Sequence, residues 1–228
     1  MILVCQIVSP LSNEPVPPDV LVAVAIRETL PGRHHATFIY RANDGTLNQL
    51  HLAWHMLLRD EPFPEGDGYF WGRLGLDPIN QRVLSAFLPT VDAIAGSVPY
   101  GIDWESTQEC FNPDGSLILL PLGKGLTCAT FLAAILKSQG YQLVDIATWP
   151  VRPDDIVWQE EIITLLSQRE ANLEHVEEMR RDVGGKRLKP AEAVGACFQL
   201  DWPVGFDEAS QVAGQILRDM SSADSHGP

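Results

Sequence analysis

The chain has 228 residues, 45% of them apolar, enough to bury a sizeable core in one large domain or in one domain with an appendage. Acidic residues outnumber basic ones by 30 to 16, and the formal net charge of -14 argues against nucleic acid or an anionic membrane as the main partner. The four cysteines (Cys5, Cys110, Cys128, Cys197) are scattered without a CxxC pair, and no apolar run reaches membrane-spanning length, so free thiols, a cytoplasmic location and no membrane insertion are expected.

In chain order, Met1 to Val8 reads as a strand without a basic leader, and Pro10 to Pro18 as a proline-rich connector. Val20 to Ile26, dense in Val and Ala, predicts a buried strand. Ala36 to Tyr40 predicts another, with His34 and His35 at its entrance. Asn43-Asp44-Gly45 is a hairpin signal, and the returning strand is placed at Leu47 to Leu58. That segment also fits a helical stripe through Leu47, Leu50, Trp54, Leu57 and Leu58. The strand is preferred because the turn sits between two runs able to pair. Residues 60 to 77 are rich in Pro and Gly and read as loop. Pro78 to Ala95 predicts a helix capped by Asp77, with an apolar stripe through Val83, Leu84, Phe87, Val91 and Ile94. Short strands are expected at Leu117 to Leu120 and Tyr141 to Ile146. Beyond Arg152 helices are expected at Asp154 to Gln168, Leu173 to Arg181, Pro190 to Cys197 and Glu208 to Met220, followed by disorder from Ser221 to Pro228.

One stretch organises the rest: Gly123-Lys124-Gly125-Leu126-Thr127-Cys128-Ala129-Thr130-Phe131. Thr127 can cap a helix that continues through Leu132, Ala133, Ala134, Ile135 and Leu136 and stops at Gly140. The helix is apolar almost all round and therefore buried. Cys128 on its first turn lies at the positive end of the helix dipole, where thiolate is favoured.

Four of the six histidines, His34, His35, His51 and His55, fall in the presumed hairpin. On a strand rising about 3.3 Å per residue, His51 and His55 lie roughly 13 Å apart and cannot share a metal. On a helix they would be one turn apart, which keeps a metal-dependent hydrolase as an alternative, though one lacking the Glu of His-Glu-x-x-His.

His35-Ala36-Thr37-Phe38-Ile39-Tyr40, Asn43-Asp44-Gly45 and Leu50-His51-Leu52-Ala53 together resemble the two His-bearing strands of circularly permuted papain-like enzymes. That group includes the permuted NlpC/P60 proteins and the lecithin retinol acyltransferase-like enzymes. Thr127-Cys128-Ala129-Thr130-Phe131 is similar to their later Cys helix, and Val98-Pro99-Tyr100-Gly101 to the approach to it. The likeness covers about residues 20 to 146. It implies an α+β core of antiparallel sheet plus buried Cys helix, with Cys128 as nucleophile, His35 as base and His51 as orienting group. The last two roles are exchangeable. The family's His-x-Gly or His-x-Ala spacing would select His34 with Ala36, although His35, directly before Ala36, aligns as well, and the acyltransferases often have Asn at the position of Thr127. No cofactor and no metal are implied. The substrate is a peptide, amide or acyl compound.

The expected organisation is a core domain over 1–150, a helical C-terminal extension over 151–220 and a tail over 221–228. The expected function is a cysteine hydrolase cleaving an amide, thioester or ester bond, as peptidase, amidase or acyltransferase. A non-catalytic binding domain on the same fold is a further alternative. Gly123-Lys124-Gly125 is no P-loop, since no Ser or Thr follows the lysine, and there is no Gly-x-Ser-x-Gly elbow. His35 and His51 stand nine and seven positions from Asp44, so a symmetric hairpin makes them near-opposite. The Cys128 helix is then expected on the face they share, with the sulfur in hydrogen-bond reach of a ring nitrogen.

Overall fold

In the computed structural model, which describes residues 11–169 and 172–224, the Val-Ala run forms β1 (Val22–Leu30). A turn at Pro31-Gly32 leads to β2 (Arg33–Arg41). The next turn closes at Gly45, whose φ of 87° suits a residue without Cβ, and Asp44 Oδ1 accepts from the Thr46 N–H at 2.9 Å. The chain returns as β3 (Leu47–Trp54), reverses at His55-Met56, and continues as β4 (Leu57–Pro62) and β5 (Phe70–Arg73). The sheet is antiparallel throughout, in the order β4-β3-β2-β1-β5.

Alternation along the strands gives the sheet two faces. Val22, Val24, Ile26, Ala36, Phe38, Tyr40, Leu50 and Leu52 belong to the larger core, beneath the helices. Ala23, Ala25 and Ile39 face a smaller core closed by Val16, Val20, Phe63, Tyr69 and Trp71. The helices are α1 (Pro78–Ala95), α2 (Cys128–Ser138), α3 (Pro153–Gln168), α4 (Leu173–Met179), α5 (Pro190–Cys197) and α6 (Phe206–Asp224). The chain is thus α+β, a five-stranded antiparallel sheet with six α-helices among the described residues. None of these helices is long and apolar enough to cross a membrane.

The helices after residue 150 are built into the larger core: Ile163, Val176, Val194 and Ile216 lie in one cluster with Phe38 and Phe131. Gly72 of β5 shows how tightly α5 docks. A Cβ there would meet the Phe198 ring at 2.5 Å.

Several expectations are corrected. The strand placed at Leu47 to Leu58 is two strands, because Met56 adopts φ 56° and Trp54 pairs with Leu57. The loop-rich stretch 60–77 contains the end of β4 and all of β5. Leu117 and Val144 make single bridges, to Phe111 and Val204, rather than strands. On α1 the buried residues are Leu84, Ser85, Leu88 and Val91, while Val83 and Ile94 are exposed. Helix α6 runs through Asp224, into the expected tail. The strand expected at Met1 to Val8 lies outside the described residues, as do residues 225–228.

Candidate active site

Helix α2 begins as its sequence requires. The Thr127 hydroxyl accepts from the Thr130 N–H at 3.2 Å, and the Thr130 hydroxyl accepts from the Thr127 N–H at 2.8 Å, a reciprocal cap. Phe131, Leu132 and Ile135 are fully buried, each contributing about 1.5–3 kcal/mol of apolar transfer. Cys128 is the first helical residue and lines a cleft of about 840 Å³.

The β2–β3 ladder runs from Arg41–Leu47 only as far as Phe38–Leu50. Beyond it the strands part, so His34–Thr37 have no paired residue on β3. Cys128 meets β2 at this opening, where the Ala36 N–H favours its thiolate. The imidazoles also meet there. His35 Nε2 lies 2.6 Å from His51 Nδ1, and His51 Nε2 lies 3.1 Å from Glu61 Oε1. Glu61 is brought to His51 by the β3–β4 hairpin, which pairs Gln49 with Glu61, and it also binds Arg59 at 3.3 Å.

This bonding fixes the tautomers. A carboxylate at Glu61 accepts a proton on His51 Nε2, which leaves His51 Nδ1 to accept from His35 Nε2–H. The lone pair of neutral His35 then resides on Nδ1, which makes no hydrogen bond to a described residue.

The expected placement of α2 is corrected. It packs beneath the face that carries Ala36, Phe38, Leu50 and Leu52, whereas the alternation of β2 and β3 assigns His35 and His51 to the opposite face. His34 has the parity of Ala36 and stands opposite Glu28 of β1. His34, His35, His51 and Cys128 nonetheless all line the same cleft. Among the described residues no hydrogen bond joins the Cys128 sulfur to an imidazole.

Electrostatics set a neutral resting pair. Burial pushes the Cys128 thiol up, opposed by the N–H groups of Ala36 and Ala129 and by the Arg187 charge. Burial, with His51 and the Arg27 guanidinium nearby, pushes His35 down to about 3. Burial also lowers His51, opposed by Glu61, and His34, opposed by Glu28. A thiolate at Cys128 would be felt by two phenols: it contributes to raising Tyr100, and to raising Tyr69 to about 12, both chiefly through burial.

Tyr100 is held beside Cys128 by its backbone. Its segment runs along Leu126, with the Leu126 N–H donating to Pro99 O at 2.9 Å and the Gly101 N–H to Leu126 O at 3.2 Å. This approach needs glycine, since a Cβ on Gly101 would lie 2.4 Å from Gly125 N, and one on Gly125 would lie 2.4 Å from Pro99 O. Two histidines complete the clamp. His55 Nδ1 accepts from the Tyr100 N–H at 3.2 Å, and His175 Nε2–H donates to Tyr100 O at 2.8 Å while its Nδ1 accepts from the Gly123 N–H at 3.1 Å. Lys124 ties the same loop to Asp103 and Asp182 at 2.6 and 2.8 Å.

The metal alternative required His51 and His55 one turn apart on a helix. They lie on β3 and in the turn after it, with separate partners. No group of three or more His, Cys, Asp or Glu among the described residues is placed to hold a metal ion.

Helix α3 lines the far side of the cleft through Trp158, Glu161 and Leu165, and Arg187, stacked on Trp158, lines it as well. Arg33 of β2 reaches across to Glu161 at 2.7 Å. Sequence reasoning missed Glu61, His175 and Arg187. A turn recognised at His55-Met56 would have exposed Glu61 as a neighbour of the His51 strand; nothing local marks the other two. No protein-family model, no curated protein and no solved structure matches this chain.

Proposed function

We propose that the chain is a cysteine hydrolase of permuted papain-like type, located in the cytoplasm and acting on an amide, thioester or ester bond. One observation carries this reading: Cys128, at the start of a buried helix, lines one cleft with His35 and His51, which are bonded to each other and, through His51, to Glu61. Cys128 Sγ attacks the acyl carbon, and its proton passes to His35 Nδ1. His35 delivers that proton to the leaving nitrogen, oxygen or sulfur as its bond to carbon breaks. Water, deprotonated by His35, then cleaves the thioester and restores the thiol. Because thiol and imidazole are both neutral at rest, the first proton moves as the sulfur attacks. His51 and Glu61 fix the ring and disperse its charge, as the third member of a triad does. The N–H groups of Cys128 and Ala129, at a helix start without intrahelical partners, are the natural donors to the oxyanion. Peptidase or amidase activity comes first and acyl transfer to another acceptor second.

A non-catalytic binding domain draws on a separate observation, the absence of a hydrogen bond between Cys128 and an imidazole among the described residues. An electrophilic amide- or ester-mimicking probe decides between them. Covalent labelling mapped to Cys128 and lost in Cys128→Ser is expected of the hydrolase. No labelling of the folded chain would count against the thiol mechanism and favour the binding domain.

A further inference from the structure

The charge of the cleft runs against that of the chain. The protein carries a net charge of -14, yet the charged residues lining the cleft are Arg27, Arg33, Arg169 and Arg187 against Glu160 and Glu161. Two of these arginines are already engaged, Arg27 with Asp67 and Arg33 with Glu161.

Arg187 is placed differently. Its guanidinium lies 3.6 Å from the centroid of the Trp158 ring, and its Nη1 donates to Asp155 Oδ1 at 3.2 Å. Its Nε is buried without a partner, and its Nη2 makes no hydrogen bond to a described residue. Beneath it, two buried carboxylates serve three cations. Asp155 faces Arg152, Arg187 and Lys189, and Glu192 binds Arg152. Three positive charges thus face two negative ones, the Lys189 side chain being partly exposed to water while that of Arg187 is mostly buried.

A guanidinium does not deprotonate in a protein, so a partly unpaired one under low exposure is unfavourable until an anion arrives. Its planar fork suits a carboxylate bound through two N–H groups. Stacking on Trp158 and the bond to Asp155 hold the fork in place beforehand, which lowers the ordering cost of binding. The Arg187 charge also reaches the reacting end of the cleft, where it favours the Cys128 thiolate.

We propose that the substrate carries a carboxylate near its scissile acyl carbon and that Arg187 is the residue that binds it. This names a substrate class for the hydrolase reading and rests on that reading. A neutral isostere would be rejected because it leaves the fork unpaired.

The test uses the full chain and two pairs of probes that differ only in carboxylate against amide. Iodoacetate and iodoacetamide report on Cys128; glutarate and glutaramide report binding by calorimetry without thiol chemistry. Normalised to free cysteine, the iodoacetate-to-iodoacetamide rate ratio at Cys128 is expected to be raised by about tenfold, as is glutarate affinity over glutaramide. Both preferences should vanish in Arg187→Gln. Arg187→Lys, which keeps a charge facing Asp155, should retain part of them and serves if Arg187→Gln does not fold. A reactive Cys128 with no preference in either pair overturns the proposal and leaves the hydrolase standing. Preferences unchanged in both variants overturn the assignment to Arg187. Arg187-dependent glutarate binding with a Cys128 inert to both reagents supports the anion site and removes the thiol chemistry.

Discussion

His35 Nε2 and His51 Nδ1 lie 2.6 Å apart at a place where the strands carrying them have stopped pairing. In the register set by Phe38 and Leu50 the two residues are diagonal neighbours on one face, and the bond joins their rings there. It sets the ring of His35 and leaves Nδ1 available. If this pair is the catalytic base and its support, His35→Ala should lower turnover, or the rate of probe labelling at Cys128, by about 10²–10⁴-fold. His51→Ala and Glu61→Gln should lower it less, and His34→Ala should leave it within a few-fold. A large loss on His34→Ala with little on His35→Ala would transfer the role to the histidine on the Ala36 side of the sheet.

Thiol reactivity should single out Cys128. Burial pushes Cys110 up to about 12 and Cys197 higher still, with nothing comparable to the helix-start N–H groups to oppose it. Cys128 also opens onto the cleft, while Cys110 and Cys197 are sealed in the larger core. Peptide-mapped alkylation of the folded chain near neutral pH should label Cys128 faster than either by about tenfold or more. Equal labelling of Cys197 would contradict this order.

Acid should destabilise the fold through its imidazoles. His35 titrates near 6.5 when unfolded and near 3 when folded, so between those values the unfolded chain binds the extra proton. Its stabilising contribution is present above about pH 6.5 and is lost as pH falls toward 3. One such group gives a slope of at most about 1.4 kcal/mol per pH unit. Urea midpoints across pH 4 to 7 should fall with acid, and His35→Gln should flatten the slope. An unchanged slope in a folded His35→Gln would mean that the ring is not held neutral.

Gly125→Ala should destabilise the chain by about 1–3 kcal/mol, since its Cβ would press on the Pro99 carbonyl and neither backbone can give way freely. Denaturant unfolding measures the loss. A stability equal to the parent would show that the Tyr100 and Leu126 segments are free to separate.

The Cys128 helix was legible because its cap, apolar run and terminal glycine all agree. The hairpin at Gly45 was legible from its turn chemistry. The turn at His55-Met56 was not, for it contains no Gly, Asn, Asp or Pro, and Met56 enters the left-handed region without the usual residue. With that turn hidden, β4 and the place of Glu61 were hidden too. Strand β5 is four residues long and contains Gly72, which reads as loop until Phe198, distant in sequence, is seen to lie against it. The face under α2 was not legible because both faces of the sheet are apolar. The larger residues Val22, Val24 and Ile26 look toward the helices, and the smaller Ala23 and Ala25 toward the thin layer on the other side.

The helices beyond residue 150 share one core with the sheet and supply the far wall of the cleft. A fragment ending at residue 150 would keep the thiol and the paired imidazoles yet lose Trp158, Glu161 and Arg187, and with them half of the enclosure. Gly72 would face a vacancy where Phe198 had been. A cut at residue 150 would therefore open the core and the cleft at once.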